Sequence, residues 1–263
     1  MTAVSPLRVP VLMYHEIADR SVTESPLAVS PNAFADHVAY LHDAGFTTVT
    51  AGQLAATLAE GAGDLPERPV VLTFDDGYGD FHSQALPLLK QRGFNATLFQ
   101  TTAWVGKEDE KKRMLNWREL AESEQAGIEI GAHTSTHPQL DQLPEKLLRE
   151  ELYISKSMLE DHLGLKVPGL AYPFGYSNAK VRRMARELGY DYAYAVDNAM
   201  TTDGADSFTL PRLTVRRTTS MDEFRKIVNG QDTLTLRRDR VLTSGYSVVR
   251  RARSALRTMR GQA

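Results

Sequence analysis

Residues 70–77 read Val70-Val-Leu-Thr-Phe-Asp75-Asp76-Gly77, and this stretch decides the fold. The run of apolar and β-branched residues from Val70 to Phe74 is typical of a strand that is covered on both faces. Two carboxylates and a glycine follow at once, and Asp and Gly are residues that turns favour. The stretch therefore predicts a buried strand that delivers two acidic side chains to a turn at its carboxyl end.

Similar apolar runs recur along the chain and alternate with amphipathic stretches. This alternation is typical of repeated βα units with a parallel sheet. The predicted strands are Val9–Tyr14, Phe46–Val49, Val70–Phe74, Ala96–Gln100, Ile128–Gly131, Gly169–Tyr172, Tyr192–Val196 and Leu213–Val215. The predicted helices are Pro31–Ala44, Ala51–Glu60, Asp80–Arg92, Trp117–Gln125, Glu145–Leu163, Asn178–Leu188 and Met221–Val228. Seven or eight such units in a chain of 263 residues predict an α/β barrel.

Four of the predicted strands run directly into loops that carry polar side chains or a Gly- and Pro-rich backbone. These loops begin at His15, at Asp75, at His133 and at Pro173. In parallel α/β barrels the loops at the carboxyl ends of the strands converge on one mouth. We therefore expect the four loops to surround a common site.

The spacing of His133 and His137 predicts a pair of metal ligands. An i, i+4 pair shares one face of a helical turn, so both imidazoles can reach one ion. Asp75 and Asp76 can supply a third ligand and leave one carboxylate as a general base, because two adjacent anions repel unless a cation neutralises one. Three protein ligands leave positions for water and substrate, which is typical of a catalytic metal. On spacing alone, a chance HxxxH on a surface helix and an ordinary Asp-Asp-Gly turn remain alternatives.

Composition restricts the kind of metal site. The chain contains no cysteine, so thiolate ligands, disulfides and cysteine nucleophiles are excluded. Zinc is the first expectation for a His and carboxylate set, and other first-row divalent ions also fit. A bound divalent ion lowers the pKa of its water and polarises a carbonyl, so hydrolysis of an amide or ester is predicted. A non-haem iron oxygenase also uses two His and one carboxylate, but the second Asp and the HxxxH spacing favour hydrolysis.

Three motifs, taken in order, resemble those of the polysaccharide deacetylases, the NodB-homology or carbohydrate esterase family 4 proteins. They are Thr73-Phe-Asp-Asp-Gly-Tyr78, His133-Thr-Ser-Thr-His137 and Tyr172-Pro-Phe-Gly175, and the resemblance covers roughly residues 8–230. The resemblance implies a distorted (β/α) barrel of seven or eight strands. It also implies that Asp75 is the general base, that the metal ligands are Asp76, His133 and His137, and that the backbone N–H of Phe174 is an oxyanion donor.

The chain departs from the common pattern of that family at two positions: the residue that acts as general acid and the arginine that pairs with the general base. Most members have a C-terminal Leu-x-His motif that supplies the general acid, but the last histidine here is His162. The early His15 resembles the rearranged arrangement of the poly-N-acetylglucosamine deacetylases and is the predicted acid; a histidine that merely hydrogen-bonds at a strand end is the alternative. Ala171 replaces the usual arginine of the third motif, and the acidic-tryptophan motif is missing. Arg212 is either a replacement partner for the base or a surface arginine.

These features predict hydrolysis of the N-acetyl group of an amino sugar in a glycan or glycan precursor. An O-acetyl esterase or a hydrolase of small amides on the same scaffold is one alternative, and the missing motifs make a catalytically inactive glycan-binding protein another. Aromatic side chains near the mouth would hold the apolar faces of a sugar, although core packing explains each of them equally well. The aromatic residues in the predicted loops are Tyr78, Trp104, Trp117, Tyr172 and Tyr176.

The C-terminal part of the chain differs in charge from the rest. Residues 231–263 hold eight Arg and two Asp, a balance of +6, so residues 1–230 must carry −8 to give the overall −2. We therefore predict a catalytic domain, 1–230, and a basic amphipathic extension, 231–263. From Val241 to Met259 apolar residues gather on one helical face, which predicts docking on the barrel or a partner chain, or contact with an anionic membrane surface. Nucleic-acid binding is not expected, because the main body is acidic.

Two absences bear on location. No run of 18 uncharged apolar residues occurs, so a transmembrane segment is not predicted. The residues from Met1 to Ile17 show neither a basic flank with an apolar core nor a small-residue cleavage site. A secretory signal is therefore not predicted, and a cytoplasmic location is expected, with peripheral membrane contact as an option.

Overall fold

The computed structural model describes residues 7–60, 65–108 and 112–241. Seven strands form a parallel sheet in the order β10-β2-β4-β5-β6-β7-β8, and β3 joins it beside β4. This sheet curls into a half-barrel, which confirms the predicted α/β fold. The strands are β1 (Arg8–Val9), β2 (Val11–Tyr14), β3 (Thr47–Thr48), β4 (Pro69–Asp76), β5 (Thr97–Gln100), β6 (Glu129–Ala132), β7 (Gly169–Ala171), β8 (Tyr192–Tyr194), β9 (Thr201–Thr202) and β10 (Leu213–Thr214).

The helices follow the strands in the predicted alternation. They are α1 (Pro31–Asp43), α2 (Ala51–Glu60), α3 (Leu86–Gln91), α4 (Trp117–Gln125), α5 (Glu145–Leu163), α6 (Ala179–Glu187) and α7 (Met221–Val228). The helix predicted from Asp80 to Arg92 is present as one unbroken helical run over residues 80–91, in which a π-helical turn, Phe81–Ala85, leads directly into α3. Pro87 lies in the first turn of α3, and proline has no N–H for the regular helical hydrogen bond.

The sheet does not close by a regular ladder between its two edge strands, β8 and β10. Instead, an isolated parallel bridge joins Tyr194 of β8 to Leu210. The amide of Ala195 also donates to the carbonyl of Leu210, and the amide of Asn198 donates to the carbonyl of Arg212. Pro211 lies between the two acceptors and cannot donate to a ladder. The barrel is therefore distorted at this seam. The sequence also gave no sign that β9 pairs with β1 in a separate antiparallel sheet.

The central strand, β4, is buried along nearly its whole length, as its apolar sequence predicts. Alternate side chains enter two different cores. Leu72 and Phe74 face the larger core beneath the outer helices. Val71 faces the smaller core inside the half-barrel, where Leu54 of α2 also packs. The strand is thus held rigidly from both sides, and its carboxyl end presents Asp75 and Asp76 at a fixed position.

Part of the predicted C-terminal extension lies against the barrel. Residues 234–241 are helical, with the side chain of Leu236 buried. Nε of Arg216 lies 2.9 Å from Oδ2 of Asp239, and Nε of Arg240 donates to the carbonyl of Asn198 at 2.9 Å. Nearly all of the predicted amphipathic face from Val241 to Met259 lies outside the described residues, so the division at residue 230 stays a prediction. No helix within the described ranges is both long and apolar enough to cross a membrane.

Gly77, directly after β4, is required by both its backbone and its surroundings. Its φ is +89°, and a Cβ built there would lie 1.9 Å from Oε1 of Gln100. We expect Gly77→Ala to lower the free energy of unfolding by about 2–5 kcal/mol, because left-handed strain adds to displacement of a buried side chain. Urea denaturation measures this change. Gly93→Ala is the matched control, since φ is +64° there with nothing within 4 Å of the Cβ, and it should cost about 1–2 kcal/mol. Equal losses in the two variants would contradict the proposed clash.

Candidate metal centre and active site

Three side chains from the carboxyl ends of two strands, β4 and β6, converge on one point. Oδ1 of Asp76 lies 3.4 Å from Nε2 of His133 and 3.3 Å from Nε2 of His137. One potential ligand atom from each residue lies within 4.8 Å of the other two. Asp76 ends β4, and the two histidines follow β6, two strands away in the sheet. The structure therefore brings together the three predicted metal ligands.

The geometry of these three groups fits a divalent ion better than a set of hydrogen bonds. Oδ1 of Asp76 is buried and accepts no hydrogen bond from any residue that the structure describes. An unpaired buried carboxylate oxygen is costly unless a cation or donor compensates it. Ligand bonds of about 2.0–2.1 Å in a tetrahedral site separate neighbouring ligand atoms by about 3.4 Å. The two carboxylate-to-imidazole distances match that separation, so the donor set suits a zinc-like ion.

Backbone contacts fix His133 in the form that a metal requires. Nδ1 of His133 donates to the carbonyl of Ala171 at 2.8 Å, so the lone pair of the neutral ring is on Nε2, toward Asp76. Burial lowers the pKa of His133, but the charges of Asp75 and Asp76 outweigh it, so that the pKa is raised. Burial lowers the pKa of His137 to about 4, and His133 adds to this effect. His137 is therefore neutral at pH 7 and able to ligate.

The prediction that His133 and His137 share a helical turn is wrong. Both lie in a loop, and φ is +66° at Thr134 and +64° at His137, which a right-handed helix cannot contain. Oγ1 of Thr134 accepts the amide of His137 at 3.0 Å and stabilises this turn. The carboxylate of Glu151, on α5, accepts hydrogen bonds from the backbone amides of Ser135 and Thr136. The imidazoles converge because of this loop and not because of helical periodicity.

Asp75 does not join the three converging side chains but is held by an arginine. Nη1 and Nη2 of Arg212 lie 2.6 and 2.8 Å from the two carboxylate oxygens of Asp75. Arg212 is fully buried, which excludes the interpretation as a surface arginine. Its guanidinium also donates to Oγ1 of Thr73 and to the carbonyl of Ala195. The pair is therefore bidentate, and its remaining donors are largely satisfied.

The electrostatics around Asp75 keep its carboxylate ionised. Burial acts to raise the pKa of Asp75, but the charges of Arg212 and His133 and the hydrogen bonds from Arg212 overcome it, and the pKa is lowered. Burial also acts to raise the pKa of Asp76. The neighbouring histidines outweigh this effect and lower the pKa far below its usual range. Both carboxylates are thus anionic at neutral pH. Asp75 faces an arginine while Asp76 faces two histidines, so their environments differ as the predicted division of roles requires.

His15 lies at the end of β2, within the electrostatic reach of the same group. Burial lowers the pKa of His15, and the charges of Asp75 and Asp76 act in the opposite direction. Nδ1 of His15 is buried and has no hydrogen-bond partner among the described residues. The alternative of a histidine held by hydrogen bonds at a strand end therefore finds no support at this nitrogen.

Phe174 occupies a strained turn directly after β7. Its φ is +59°, the left-handed region that non-glycine residues rarely adopt, and its side chain is half exposed. The ring centroid of Phe174 lies 4.8 Å from that of His137. Asp76, at φ +77°, and His137 share this backbone strain. Strained residues that cluster in this way are typical of functional sites.

The five predicted sugar-binding aromatic residues fall into two groups. Trp104 and Tyr176 lie at the mouth, since the ring centroid of Trp104 is 5.2 Å from that of His137 and Tyr176 stacks on Phe174. Tyr78 and Trp104 line a cavity of about 450 Å³. Tyr172 is fully buried, and its hydroxyl donates to the carbonyl of Phe208.

The ring of Trp117 stacks on His162, with centroids 3.9 Å apart, and makes no ring contact with His133 or His137 among the described residues. The structure thus brings Tyr78, Trp104 and Tyr176 to the site but not Tyr172 or Trp117. Sequence reasoning overlooked the side chain of Phe174 as a rim aromatic, and it also overlooked Glu151. The half-exposed ring of Phe174 at a strained turn is the feature that identifies it as part of the rim. No feature of the sequence around Glu151 indicates its contact with the histidine loop.

Comparisons with known proteins agree with this geometry. A protein-family model described as polysaccharide deacetylase matches residues 62–193, which is half of the chain. The Bacillus subtilis protein YxkH, named for the same family, is 30% identical over 210 residues, covering 80% of this chain and 72% of YxkH. A Staphylococcus aureus protein named poly-beta-1,6-N-acetyl-D-glucosamine N-deacetylase is 25% identical over 217 residues, covering 78% of this chain and 72% of that protein. The chain spans 37% of the Escherichia coli protein of the same name.

A solved structure gives a match of the same kind. IcaB from Ammonifex degensii superposes with a TM-score of 0.73 at 26% identity, covering 84% of this chain and 96% of IcaB. Because 84% of this chain is covered, the likeness extends beyond residues 62–193, which the family model matches.

Proposed function

This chain belongs to the polysaccharide deacetylase family, and we propose that it is a metal-dependent hydrolase that removes the N-acetyl group from an amino sugar of a glycan or glycan precursor. The observation that carries the proposal is the convergence of Asp76, His133 and His137 beside a separate carboxylate, Asp75, which is braced by Arg212. The Staphylococcus aureus relative named as a poly-beta-1,6-N-acetyl-D-glucosamine N-deacetylase supports an N-acetylglucosamine polymer as the first substrate to test.

We assign the ion to Asp76, His133 and His137 and propose zinc as the first metal to test. When bound, the ion supplies Lewis acidity, which lowers the pKa of water and polarises the acetyl carbonyl. Each ligand is a hard or borderline donor, and the set leaves room for water and substrate. Iron and other first-row divalent ions remain outcomes of the same test.

The remaining residues divide the proton transfers among themselves. Asp75 takes a proton from the attacking water, and Arg212 holds its carboxylate in place during the transfer. The N–H of Phe174 donates to the oxygen of the acetyl carbonyl as negative charge develops there. Phe174 lies in a strained turn, which the amide of Gly175 closes by donating to the carbonyl of Tyr172 at 2.8 Å, and this fixed backbone supports the role. His15 then protonates the departing amine, and the proton that Asp75 removed from water replaces the one that His15 gives up, so that the reaction consumes no net proton.

The rim of the site suits a sugar. Trp104, Phe174 and Tyr176 surround His137 with aromatic rings, and these rings offer apolar faces to the carbon face of a pyranose. Tyr78 and Trp104 extend this surface into the neighbouring cavity. Burial and the charge of Asp76 raise the pKa of Tyr78, so its hydroxyl stays protonated and can donate a hydrogen bond.

Acetate release from a panel of N-acetylated sugars tests the function. The protein is stripped of metal by a chelator, reloaded with single divalent ions, and given matched N-acetylated and O-acetylated sugars together with a small acetamide. Release of acetate and free amine from N-acetylglucosamine oligomers, restored by added metal, is the expected result. Preference for the O-acetyl sugar or for the small acetamide would favour an esterase or a general amidase. Glycan affinity without acetate release would favour a binding protein.

His15→Ala tests the assignment of the acid. We expect kcat for an N-acetylated sugar to fall by about 100-fold or more, because an amine leaves poorly unless it is protonated. The metal content should stay at the wild-type level, since His15 is not one of the three converging ligands. His42→Ala, at an exposed histidine on α1, is the matched control and should leave acetate release unchanged. Normal acetate release from His15→Ala would refute the assignment.

A further inference from the structure

The side chain of Asp80 makes a contact that the proposed reaction does not explain. Oδ1 of Asp80 accepts the backbone amide of Ile17 at 3.0 Å, across 63 positions of sequence. Asp80 immediately precedes the π-helical turn at Phe81, where an aspartate usually caps the free amides of its own helix. Its side chain makes no such cap here. The carboxylate is instead directed to the loop that follows β2.

That loop carries His15 and also contacts two other segments, and in one of these contacts Nζ of Lys112 lies 3.3 Å from Oε1 of Glu16. Ile17 is buried and forms a bridge with Val29, and the amide of Val29 donates to the carbonyl of Glu16 at 2.9 Å. These contacts tie the loop to the segment before α1. The hydrogen bond from Ile17 to Asp80 ties it to the segment after β4, the strand that ends at Asp76.

The ring of His15 depends on this loop for its orientation. No hydrogen bond to either nitrogen of its imidazole occurs among the described residues, and Nδ1 is buried. A histidine without a hydrogen-bonded partner is held only by packing and by its own backbone. The backbone two residues further on is held by Asp80.

We propose that Asp80 is a positioning residue for His15, because its carboxylate locks the loop after β2 to the loop after β4 and thereby sets the distance between the acid and the departing amine. This inference rests on the proposed function, in which His15 is the acid. A displacement of about 1 Å in a catalytic group is enough to reduce the rate substantially. Asp80 itself touches neither the substrate nor the metal ligands in this scheme.

The hydrogen bond needs an acceptor oxygen at position 80 rather than a charge. Burial raises the pKa of Asp80 to about 6, which the amide of Ile17 opposes and the charge of Glu16 reinforces. An asparagine keeps an oxygen at the same place without the cost of a buried charge. Asp80→Asn should therefore preserve the loop, whereas Asp80→Ala should release it.

The test compares two substrates that differ in their need for an acid. An N-acetylated sugar releases an amine that must be protonated, while 4-nitrophenyl acetate releases a phenolate that needs no proton. For Asp80→Ala we expect kcat on the sugar to fall by about 10- to 100-fold with little change in KM. Hydrolysis of 4-nitrophenyl acetate and the metal content should stay within about twofold of wild type, since binding and attack are unaffected. Asp80→Asn should behave as wild type on both substrates.

A double variant separates positioning from general stability. In the His15→Ala background, Asp80→Ala should cause no further loss on the sugar, because residues that act through one another are not additive. Asp19→Ala removes an exposed carboxylate from the same loop and should change neither activity. Should the alanine variant fail to fold, Asp80→Leu keeps the volume without an acceptor and gives the same comparison.

Several results would overturn the inference. Equal losses on both substrates, a normal rate on the sugar, or failure of asparagine to restore the rate would each show that Asp80 does not position the acid. A wild-type protein that releases no acetate from any N-acetylated sugar would instead remove the proposed function, and this inference with it. The two failures are distinguishable, because the first requires an active wild-type enzyme.

Discussion

Asp75→Asn is expected to lower kcat for N-acetyl hydrolysis by about 100- to 10,000-fold while the protein keeps its full complement of metal. Asparagine cannot accept a proton from water at neutral pH, whereas the carboxylate of Asp75 is held in its ionised form by Arg212 and His133. The metal should remain because Asp75 is not one of the three converging residues to which we assign the ion. Steady-state kinetics and metal analysis on the same preparation measure both effects.

The loss of charge also has a cost in stability, which a control must separate from catalysis. Arg212 is fully buried and would lose its anionic partner, a change that costs about 3–5 kcal/mol when one member of a buried pair is removed. The double variant Asp75→Asn with Arg212→Met removes the stranded charge. It should recover much of the lost thermal stability but none of the activity. A single variant that keeps its rate within about tenfold of wild type would contradict the role of Asp75 as base.

His133→Ala is expected to weaken metal binding by more than about 100-fold and to abolish turnover at micromolar metal. Substituting a residue that hydrogen-bonds to a metal-binding side chain already reduces metal affinity by about 10- to 100-fold. His133→Ala removes the proposed metal-binding side chain itself, so a larger loss is expected. It also leaves the buried oxygen of Asp76 with one fewer neighbour that could share an ion. Titration of chelated protein with zinc, followed by acetate release, measures the change.

A second histidine variant controls for general effects of the substitution. His82→Ala removes an imidazole that pairs with Glu122, outside the three converging ligands, and should bind metal as wild type does. Excess metal should partly restore His133→Ala if the fold is intact. Wild-type metal affinity in His133→Ala would contradict the proposed centre.

Most of the fold was accessible from the sequence because strand and helix periods are local properties. The apolar run ending at Phe74 became a buried strand, and α2, α4, α5 and α7 have the predicted bounds. The errors arise where long-range contacts or a single proline override the local pattern. The helical period of residues 80–91 does not reveal the π-helical turn before Pro87, and Pro211 lies at the seam that the edge strands do not close.

The candidate site was predictable in its members and only partly in its arrangement. Asp76, His133 and His137 were identified, but a helical turn was the wrong reason for their convergence. Tyr172 shows why substrate-binding residues are hard to predict, because the sequence alone does not distinguish a tyrosine that lines the site from one that is buried in the core. Its burial and its hydrogen bond to Phe208 depend on a segment 36 positions away in the sequence.

The sequence by itself determined that the chain alternates strands with helices and that two aspartates and two histidines lie at or just after the carboxyl ends of strands in a parallel sheet. Only the tertiary structure decided that Asp75 pairs with Arg212, 137 positions later, while Asp76 faces the histidines. The physical reason is one of range. Hydrophobic periodicity is encoded within each segment, whereas the partner of a buried charge depends on which distant segments the curled sheet brings together.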